Sequence, residues 1–240
     1  MSLIRSLIVF GMVGLVIFSC FDPPQYSPVP SIDLASLKFK EVGGVSEPDS
    51  IIISLNFKDG DGDLGLDASS FVDQNIPYNN KYYFKFSDDT FLNYKAKRTN
   101  PNYDTLPAFV KPYNCINWEI FTENQVVKDT IYFELNPDHY NIFVDFLVKN
   151  SDGSFTEFDW RKEFAYPNCG IPFDGRFPIL SKDLSQKSPL EGEIRYGMVS
   201  TGFKILFSIK TLKLRIKIQD RALNKSNEIE TPEFTLQSIK

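Results

Sequence analysis

Residues 212–218 read LKLRIKI, with an apolar side chain at every second position. Successive side chains of a β-strand point to opposite faces, so this alternation places the four apolar residues on one face. Residues 51–57 (IIISLNF) and 142–148 (IFVDFLV) repeat the pattern. These stretches predict strands that bury one face in a hydrophobic core. Shorter runs of the same kind lie at Leu37–Phe39, Tyr83–Phe86, Ile116–Ile120, Ile131–Leu135, Ile194–Met198 and Phe203–Phe207.

Turn sequences separate the predicted strands. Asn150–Gly153 (NSDG) lies between two alternating runs, and Asp-Gly favours the positive φ that a tight hairpin needs. Beyond the N-terminal leader, no stretch of about 12 residues has a convincing helical period of 3.6. The pattern therefore predicts an all-β chain whose strands form an antiparallel sandwich.

Composition excludes several classes of protein. Of 240 residues, 42% are hydrophobic and 24% charged, which is typical of a folded body and not of collagen, a disordered chain or a polytopic membrane protein. The formal net charge of −5 argues against a nucleic-acid-binding protein, because such proteins neutralise phosphates with basic residues. One His and three Cys leave little material for histidine-based metal sites or catalytic triads.

The first 19 residues are typical of a secretory signal peptide. Arg5 precedes the apolar run Leu7–Phe18, which is shorter than the roughly 20 residues that span a bilayer as a helix. Ser19-Cys20 follows, and this junction resembles a bacterial lipoprotein signal, in which the Cys is acylated and becomes the mature N-terminus. We expect Cys20 to carry the lipid anchor, palmitate included. An ordinary cleaved signal with a coincidental Cys is the alternative.

Proline placement indicates the domain organisation. We predict a signal peptide over 1–19 and a lipid-anchored, proline-rich tether over 20–31. An N-terminal β-sandwich follows over 32–165. Residues 166–188, rich in Pro and Gly, form the predicted connecting segment, and 189–240 a C-terminal β unit. Because about 50 residues are few for an independent core, we expect this unit to pack on the first or to complete its sheets.

The motif Asp59–Gly65 (DGDGDLG), followed by Asp67, is the strongest candidate metal site. Clustered carboxylates repel one another unless water screens them or a hard cation binds them. An EF-hand loop needs Gly at its sixth position and Glu at its twelfth, and here those positions hold Leu64 and Ser70. Calcium is the candidate cofactor, and a solvated acidic turn is the alternative. The predicted calcium ligands are Asp59, Asp61, Asp63 and Asp67.

A second polar loop, Asp220–Asn227 (DRALNKSN), lies between two predicted strands and should close a hairpin. Asp and Asn supply oxygen atoms and tolerate left-handed backbone angles. Three interpretations remain open: a network of Asx turns, a cation site, and a contact to the rest of the sandwich. The candidate binding residues are Asp220, Asn224 and Asn227.

Two cysteines remain once Cys20 is lipidated. In an oxidising envelope Cys115 and Cys169 form a good candidate disulfide, which would enclose a long loop and stabilise the fold by about 2–5 kcal/mol. Two separate buried thiols are the alternative.

Four segments together resemble a family of uncharacterised Bacteroidota lipoproteins: FKDGDGDLG (57–65), FDGRFPIL (173–180), LEGEIRY (190–196) and IKIQDRALNKSNEIETPEF (216–234). The loop DRALNKSN is also similar to the D-x-A-G-N-x-S hairpins of bacterial immunoglobulin-like domains, with Leu223 in place of the Gly. These resemblances imply an immunoglobulin- or fibronectin-III-like sandwich and a place in the cell envelope. The family has no settled activity to carry over.

We therefore predict a non-enzymatic cell-envelope lipoprotein, anchored to the outer membrane, that acts as a binding or scaffolding module for another outer-membrane protein. No acidic run follows Cys20, so both faces of that membrane stay open. The alternative function is a glycan-binding accessory lipoprotein, with Tyr82 and Trp118 or Trp160 stacked on sugars.

A hydrolase is the weakest interpretation. Glu191 and Glu193 are candidate acids and His139 a candidate base, but the sequence has no G-x-S-x-G elbow to supply a nucleophile. A turn histidine and strand carboxylates without catalytic roles are the simpler interpretation.

Overall fold

The computed structural model describes residues 24–42, 47–67, 76–109, 115–163 and 172–240. These residues form mainly β-strands, all paired antiparallel, with a few short helices, so the all-β prediction is confirmed. The strands are β1 (Ser31–Lys40), β2 (Asp49–Asp59), β3 (Lys81–Tyr83), β4 (Trp118–Glu123), β5 (Val126–Leu135), β6 (Ile142–Lys149), β7 (Phe155–Glu157), β8 (Leu190–Ser200), β9 (Leu212–Ile218) and β10 (Ile229–Glu230). The helices are α1 (Tyr94–Thr99), α2 (Trp160–Glu163) and α3 (Phe203–Phe207), with 3₁₀ turns at Pro101–Tyr103 and Leu236–Ile239.

The strands form three sheets. The first has the order β1-β2-β8, the second β10-β9-β6-β7 and the third β3-β5-β4. The predicted turn at Asn150–Gly153 joins β6 to β7, and Gly153 has a φ of +87°. Only a residue that tolerates the left-handed region closes this turn without strain, and Gly does so because it lacks a Cβ.

The first two sheets share one hydrophobic core, and we call them the body. Phe146 is fully buried in this core. It stacks on Phe207 with ring centroids 5.6 Å apart and meets Trp160 edge-on at 5.2 Å. Strand β9 contributes every second residue at 0% exposure, as its alternation predicts. The apolar faces of both sheets are thereby removed from water, which is the main force that holds them together.

The C-terminal strands lie within the same sheets as the N-terminal ones. β8 pairs with β2 along eleven residues, from Leu190 opposite Asp59 to Ser200 opposite Asp49, and β9 pairs with β6. The segment expected as a C-terminal unit therefore completes the two sheets of the body.

Residues 76–135, which we call the insertion, lie between β2 and β6 and carry the third sheet. A second, smaller core holds this part together. Leu92, Trp118 and Tyr132 are its buried centre, and Tyr94 packs edge-on against Trp118 with ring centroids 5.8 Å apart. The insertion thus has an aromatic core of its own.

The prediction of a strand over Phe203–Phe207 is wrong, because this segment is the helix α3. Phe203 and Phe207 are both 0% exposed, whereas Ile205 is 82% exposed. Residues four apart share a helix face, so a five-residue run with apolar ends fits either period. Among the described residues, no helix has the length and apolar character needed to cross a bilayer.

Candidate metal centre and apolar hairpin

Three carboxylates from distant parts of the chain meet at one end of the body, and we call them the carboxylate cluster. Asp59 is the last residue of β2, Asp63 lies in the loop that follows, and Asp220 follows β9. One oxygen from each lies within 4.8 Å of the others. The two polar motifs of the sequence therefore form one site.

Backbone hydrogen bonds hold the two loops of this site together. The amide of Asp63 donates to Asp59 Oδ2 at 3.0 Å. From the other loop, the amide of Ala222 donates to Asp63 Oδ2 at 3.1 Å, and that of Arg221 to the Asp63 carbonyl at 3.2 Å. Gly62 has a φ of +70°, and a Cβ there would lie 2.3 Å from the Ser188 carbonyl. Only Gly therefore fits this position of the motif.

The cluster is shielded from water. Asp59 is 0% exposed and Asp220 is 2% exposed. Asp220 is held by Asn224, whose amide and side-chain nitrogen donate to its two oxygens at 2.8 and 2.9 Å. In contrast, the Oδ1 atoms of Asp59, Asp61 and Asp63 are buried and have no hydrogen-bond partner among the described residues.

Burial and mutual repulsion raise the pKa values of the three carboxyl groups in the cluster. Burial is the largest cause that raises the pKa of Asp59 to about 6, and the charges of Asp61 and Asp63 add to it. Burial also raises the pKa of Asp63 to about 6, with the charges of Asp220 and Asp61 next in size. The pKa of Asp220 is raised by burial against the opposing hydrogen bonds from Asn224. Carboxylates in such a position either hold protons or hold a cation.

Two basic side chains lie beside the cluster without entering it. Lys187 Nζ pairs with Asp61 Oδ2 at 2.9 Å, and its side chain is 82% exposed. The Arg221 guanidinium donates to the Gly65 carbonyl at 3.4 Å. Among the described residues, no Lys or Arg forms an ion pair with Asp59, Asp63 or Asp220. Within the described residues, the positive charge nearest to the cluster is therefore that of side chains beside it, and Arg221 partly lowers the pKa of Asp63.

The structure places the other predicted loop residues as follows. Asp61 lies beside the cluster, while Asp67 is exposed and outside the group that shares the 4.8 Å distance. Asn227 makes two 2.9 Å hydrogen bonds with the backbone of Ile32, one to the amide and one to the carbonyl. It thus fastens the hairpin loop to β1, which is one of the three interpretations left open. Leu223 adopts a φ of +66° at the position where the resembling hairpins have Gly.

The lipid and disulfide predictions concern cysteines that are only partly described. Cys20 and Cys169 lie outside the described residues. Cys115 is half-buried and disulfide-bonded, and its partner is not among the described residues. The pairing of Cys115 with Cys169 therefore stays a prediction.

The candidate sugar-binding tryptophans are core residues. Trp118 is 0% and Trp160 6% exposed, so neither ring face is open to a sugar; Tyr82, at 39% exposed, remains accessible. His139 lies in a turn but is buried, with Nδ1 2.9 Å from the Tyr78 carbonyl.

The two candidate catalytic carboxylates are exposed on β8. Glu191 accepts a hydrogen bond from the Tyr26 hydroxyl at 2.5 Å. This contact ties the last part of the expected tether to the body.

A second feature is the end of the β4–β5 hairpin. Every residue from Ile120 to Lys128 is exposed, and we call this segment the hairpin tip. It nevertheless carries four large apolar side chains with exposures between 42% and 60%. These are Ile120, Phe121, Val126 and Val127.

Sequence reasoning missed both the joining of the two Asp motifs and the hairpin tip. Nothing in the spacing of the Asp residues reveals the first, because Ala222 and Asp63 are 159 positions apart. A signal for the second was present. Two adjacent apolar pairs, Ile120-Phe121 and Val126-Val127, break the alternation and point apolar side chains to both faces of the strands.

Comparisons with protein-family models, with curated proteins and with solved structures gave no match for this chain.

Proposed function

We propose that this protein is a non-enzymatic lipoprotein of the cell envelope that binds another outer-membrane protein through the hairpin tip. The observation that carries this proposal is the concentration of four large apolar side chains in nine consecutive exposed residues. Contiguous apolar patches on the surface of a soluble domain mark sites of interaction with another protein or with a membrane.

The hairpin tip has the properties of a binding element. Among the described residues, its apolar side chains contribute to neither hydrophobic core, and they remain 42% to 60% exposed. β4 is an edge strand of its sheet in the described part of the chain, and an edge strand offers unpaired backbone groups for pairing with a partner. Glu123 and Lys128 lie 3.8 Å apart across the tip, which gives the apolar patch a polar rim.

The distance to the membrane favours a membrane partner. Tyr26, six residues after Cys20, already contacts the body through Glu191, and the Ser27 carbonyl accepts a hydrogen bond from the Gly60 amide at 2.8 Å. Six extended residues reach roughly 20 Å at most. If Cys20 carries the lipid, as the leader predicts, this end of the body lies within that distance of the bilayer.

The proposal includes the finer features of the fold. We assign the two sheets of the body to an immunoglobulin-like sandwich, supported by their common core and by the resemblance of the Asp220–Asn227 hairpin. Location at the outer membrane is supported by the leader and by the proline-rich residues after Cys20.

Affinity purification of the tagged, lipidated protein from its native membrane tests the binding function. The test variant replaces all four apolar residues of the hairpin tip by Thr, which retains strand propensity. A matched control replaces three exposed apolar residues elsewhere, as Val199→Thr, Ile205→Gln and Ile209→Gln; the native residues are 56%, 82% and 94% exposed. We expect one envelope protein to co-purify with wild type and control, and to be lost from the tip variant.

Two results would contradict the proposal. One is equal recovery of the same partner with the tip variant and the wild type. The other is binding of a glycan that depends on Tyr82 and not on the tip, which would favour the glycan-binding alternative. Mass spectrometry of the N-terminal peptide decides separately whether Cys20 is acylated.

A further inference from the structure

We propose that Asp59, Asp63 and Asp220 bind one calcium ion that fastens the first sheet of the body to the second. Asp59 ends β2 of the first sheet, and Asp220 follows β9 of the second. The inference does not depend on the binding function of the hairpin tip.

The strongest evidence is a buried carboxylate oxygen that no described residue satisfies. Asp59 is 0% exposed, and its Oδ1 has no hydrogen-bond partner in the described part of the chain. A buried acceptor without a partner is costly, and more so when it is charged. Its other oxygen, Oδ2, is satisfied by the amide of Asp63. A cation is the simplest partner for the remaining lone pairs.

The neighbours of Asp59 repeat the pattern. Asp61 and Asp63 each bury an Oδ1 for which the described ranges supply no partner. The only described cation bound to a carboxylate of this loop is the exposed Lys187, on Asp61 Oδ2. Because no described Lys or Arg forms an ion pair with these three converging carboxylates, their charge is one that a divalent ion would neutralise to a large extent.

The donor atoms favour calcium. All three side chains offer oxygen only, which suits hard cations and not zinc or copper, whose sites use nitrogen and sulfur. One oxygen of each carboxylate lies within 4.8 Å of the others, close enough for one ion to bind all three. Calcium accepts irregular sets of six to eight oxygen ligands, whereas magnesium requires near-ideal octahedral geometry and retains several waters.

The loops around the site are already held in place for binding. The amides of Asp63 and Ala222 fix one oxygen each of Asp59 and Asp63, and Asn224 fixes the Asp220 carboxylate. The ion would therefore join two ordered loops, with little ordering cost on binding.

Isothermal titration calorimetry of the chelator-treated full-length protein with calcium chloride tests the site. We expect one ion per chain and an affinity at least tenfold lower in Asp220→Asn, because removing a ligand costs at least as much as the about 10- to 100-fold typical of outer-shell partners. Asp67→Asn is the matched control, since Asp67 belongs to the same motif but lies outside the cluster, and it should keep the wild-type affinity.

Thermal melting shows whether the variants are folded and whether calcium stabilises them. In chelator, Asp220→Asn should melt close to wild type, because the repelling charge that it removes offsets the one hydrogen bond from Asn224 that it loses. Calcium should raise the melting temperature of wild type and Asp67→Asn, but that of Asp220→Asn much less. Absence of any calcium-dependent heat or melting shift in wild type overturns the site. Wild-type affinity in Asp220→Asn overturns the ligand set, and equal affinity for magnesium overturns the assignment to calcium.

Discussion

The body and the insertion use apolar side chains in opposite ways. In the body, strand β9 alternates buried and half-buried residues along its whole length, and its apolar side chains are 0% exposed. In the insertion, β4 runs from a buried aromatic core out to a tip where every residue is exposed, and β5 runs from that tip back to the core. Apolar side chains of the same types therefore stabilise the fold in the body and, we propose, bind a partner at the hairpin tip.

The largest difference between the two regions is expected in the stability lost when an aromatic side chain is removed. Phe146 is 0% exposed and packs against four aromatic rings of the body. Phe146→Ala should lower the free energy of unfolding by about 3–5 kcal/mol, from lost transfer energy and the cavity left behind. Phe121→Ala at the tip, its matched control, should change it by less than about 0.5 kcal/mol. Urea denaturation measures both, and equal effects would remove the distinction between the regions.

Calcium should stabilise the body more than the insertion. At a free calcium concentration of 100 times the dissociation constant, linkage raises the unfolding free energy by about 2.7 kcal/mol. Amide hydrogen exchange should slow at the end of β2, in the loop after it and in the Asp220–Asn227 hairpin, whereas the hairpin tip should exchange as before. The triple variant Asp59→Asn, Asp61→Asn and Asp63→Asn is the control and should show no change. Protection that rises at the tip as strongly as at β2 would contradict a site confined to the body.

The calcium-free body should respond to pH in a defined direction. Because the folded-state pKa of Asp59 and that of Asp63 are about 6, above the usual 3.8, the folded protein binds more protons than the unfolded chain between these values. The contribution of these groups to the unfolding free energy therefore decreases as pH rises from about 4 to about 6, and is constant above that.

Other carboxylates titrate in the same pH range, so the contribution of Asp59 is measured by comparing Asp59→Asn with wild type. Urea denaturation in chelator at pH 4.5 and pH 6.5 should show a smaller loss of stability, or a gain, in Asp59→Asn relative to wild type. An identical pH dependence in the two proteins would show that Asp59 does not titrate in this window. With calcium present, affinity should increase as pH rises through about 6, because the ion binds the ionised carboxylates.

The smallest effect on stability is expected at the hairpin tip, where the effect on binding is largest. Replacement of its four apolar residues by Thr should change the unfolding free energy by no more than about 0.5 kcal/mol per site. Circular dichroism melts of this variant and of the Val199, Ile205 and Ile209 control should therefore agree closely. A large loss of stability in the tip variant alone would mean that the tip packs against the protein itself.

Sequence patterns predicted the strands whose apolar residues alternate over several repeats. Residues 212–218 and 142–148 carry four alternations each, and both are strands of the body. The strand prediction for Phe203–Phe207 was wrong because apolar residues four positions apart share one face in a helix as well as in a strand. Helix α3 buries both Phe203 and Phe207. Packing against the body, and not local pattern, decides such short segments.

The sequence predicted the carboxylate chemistry of the candidate site, but not which residues come together to form it. The motif Asp59–Gly65 indicated carboxylates and glycine-dependent turns, and Gly62 occupies such a turn. The contribution of Asp220 depends on the sheets bringing β2 and β9 to the same end of the body, which is a tertiary property without a local signal. The burial of Trp118 in an aromatic core of the insertion depends in the same way on packing.

Site-specific photo-cross-linking in the native membrane tests the central claim most directly. A photoreactive residue at Phe121 probes the hairpin tip, and the same residue at Val199 probes an equally exposed apolar position of the body. We predict a cross-link from position 121 to one outer-membrane protein and none from position 199. The absence of any protein adduct at position 121, or the same adduct from both positions, would contradict the claim that the tip is the binding surface.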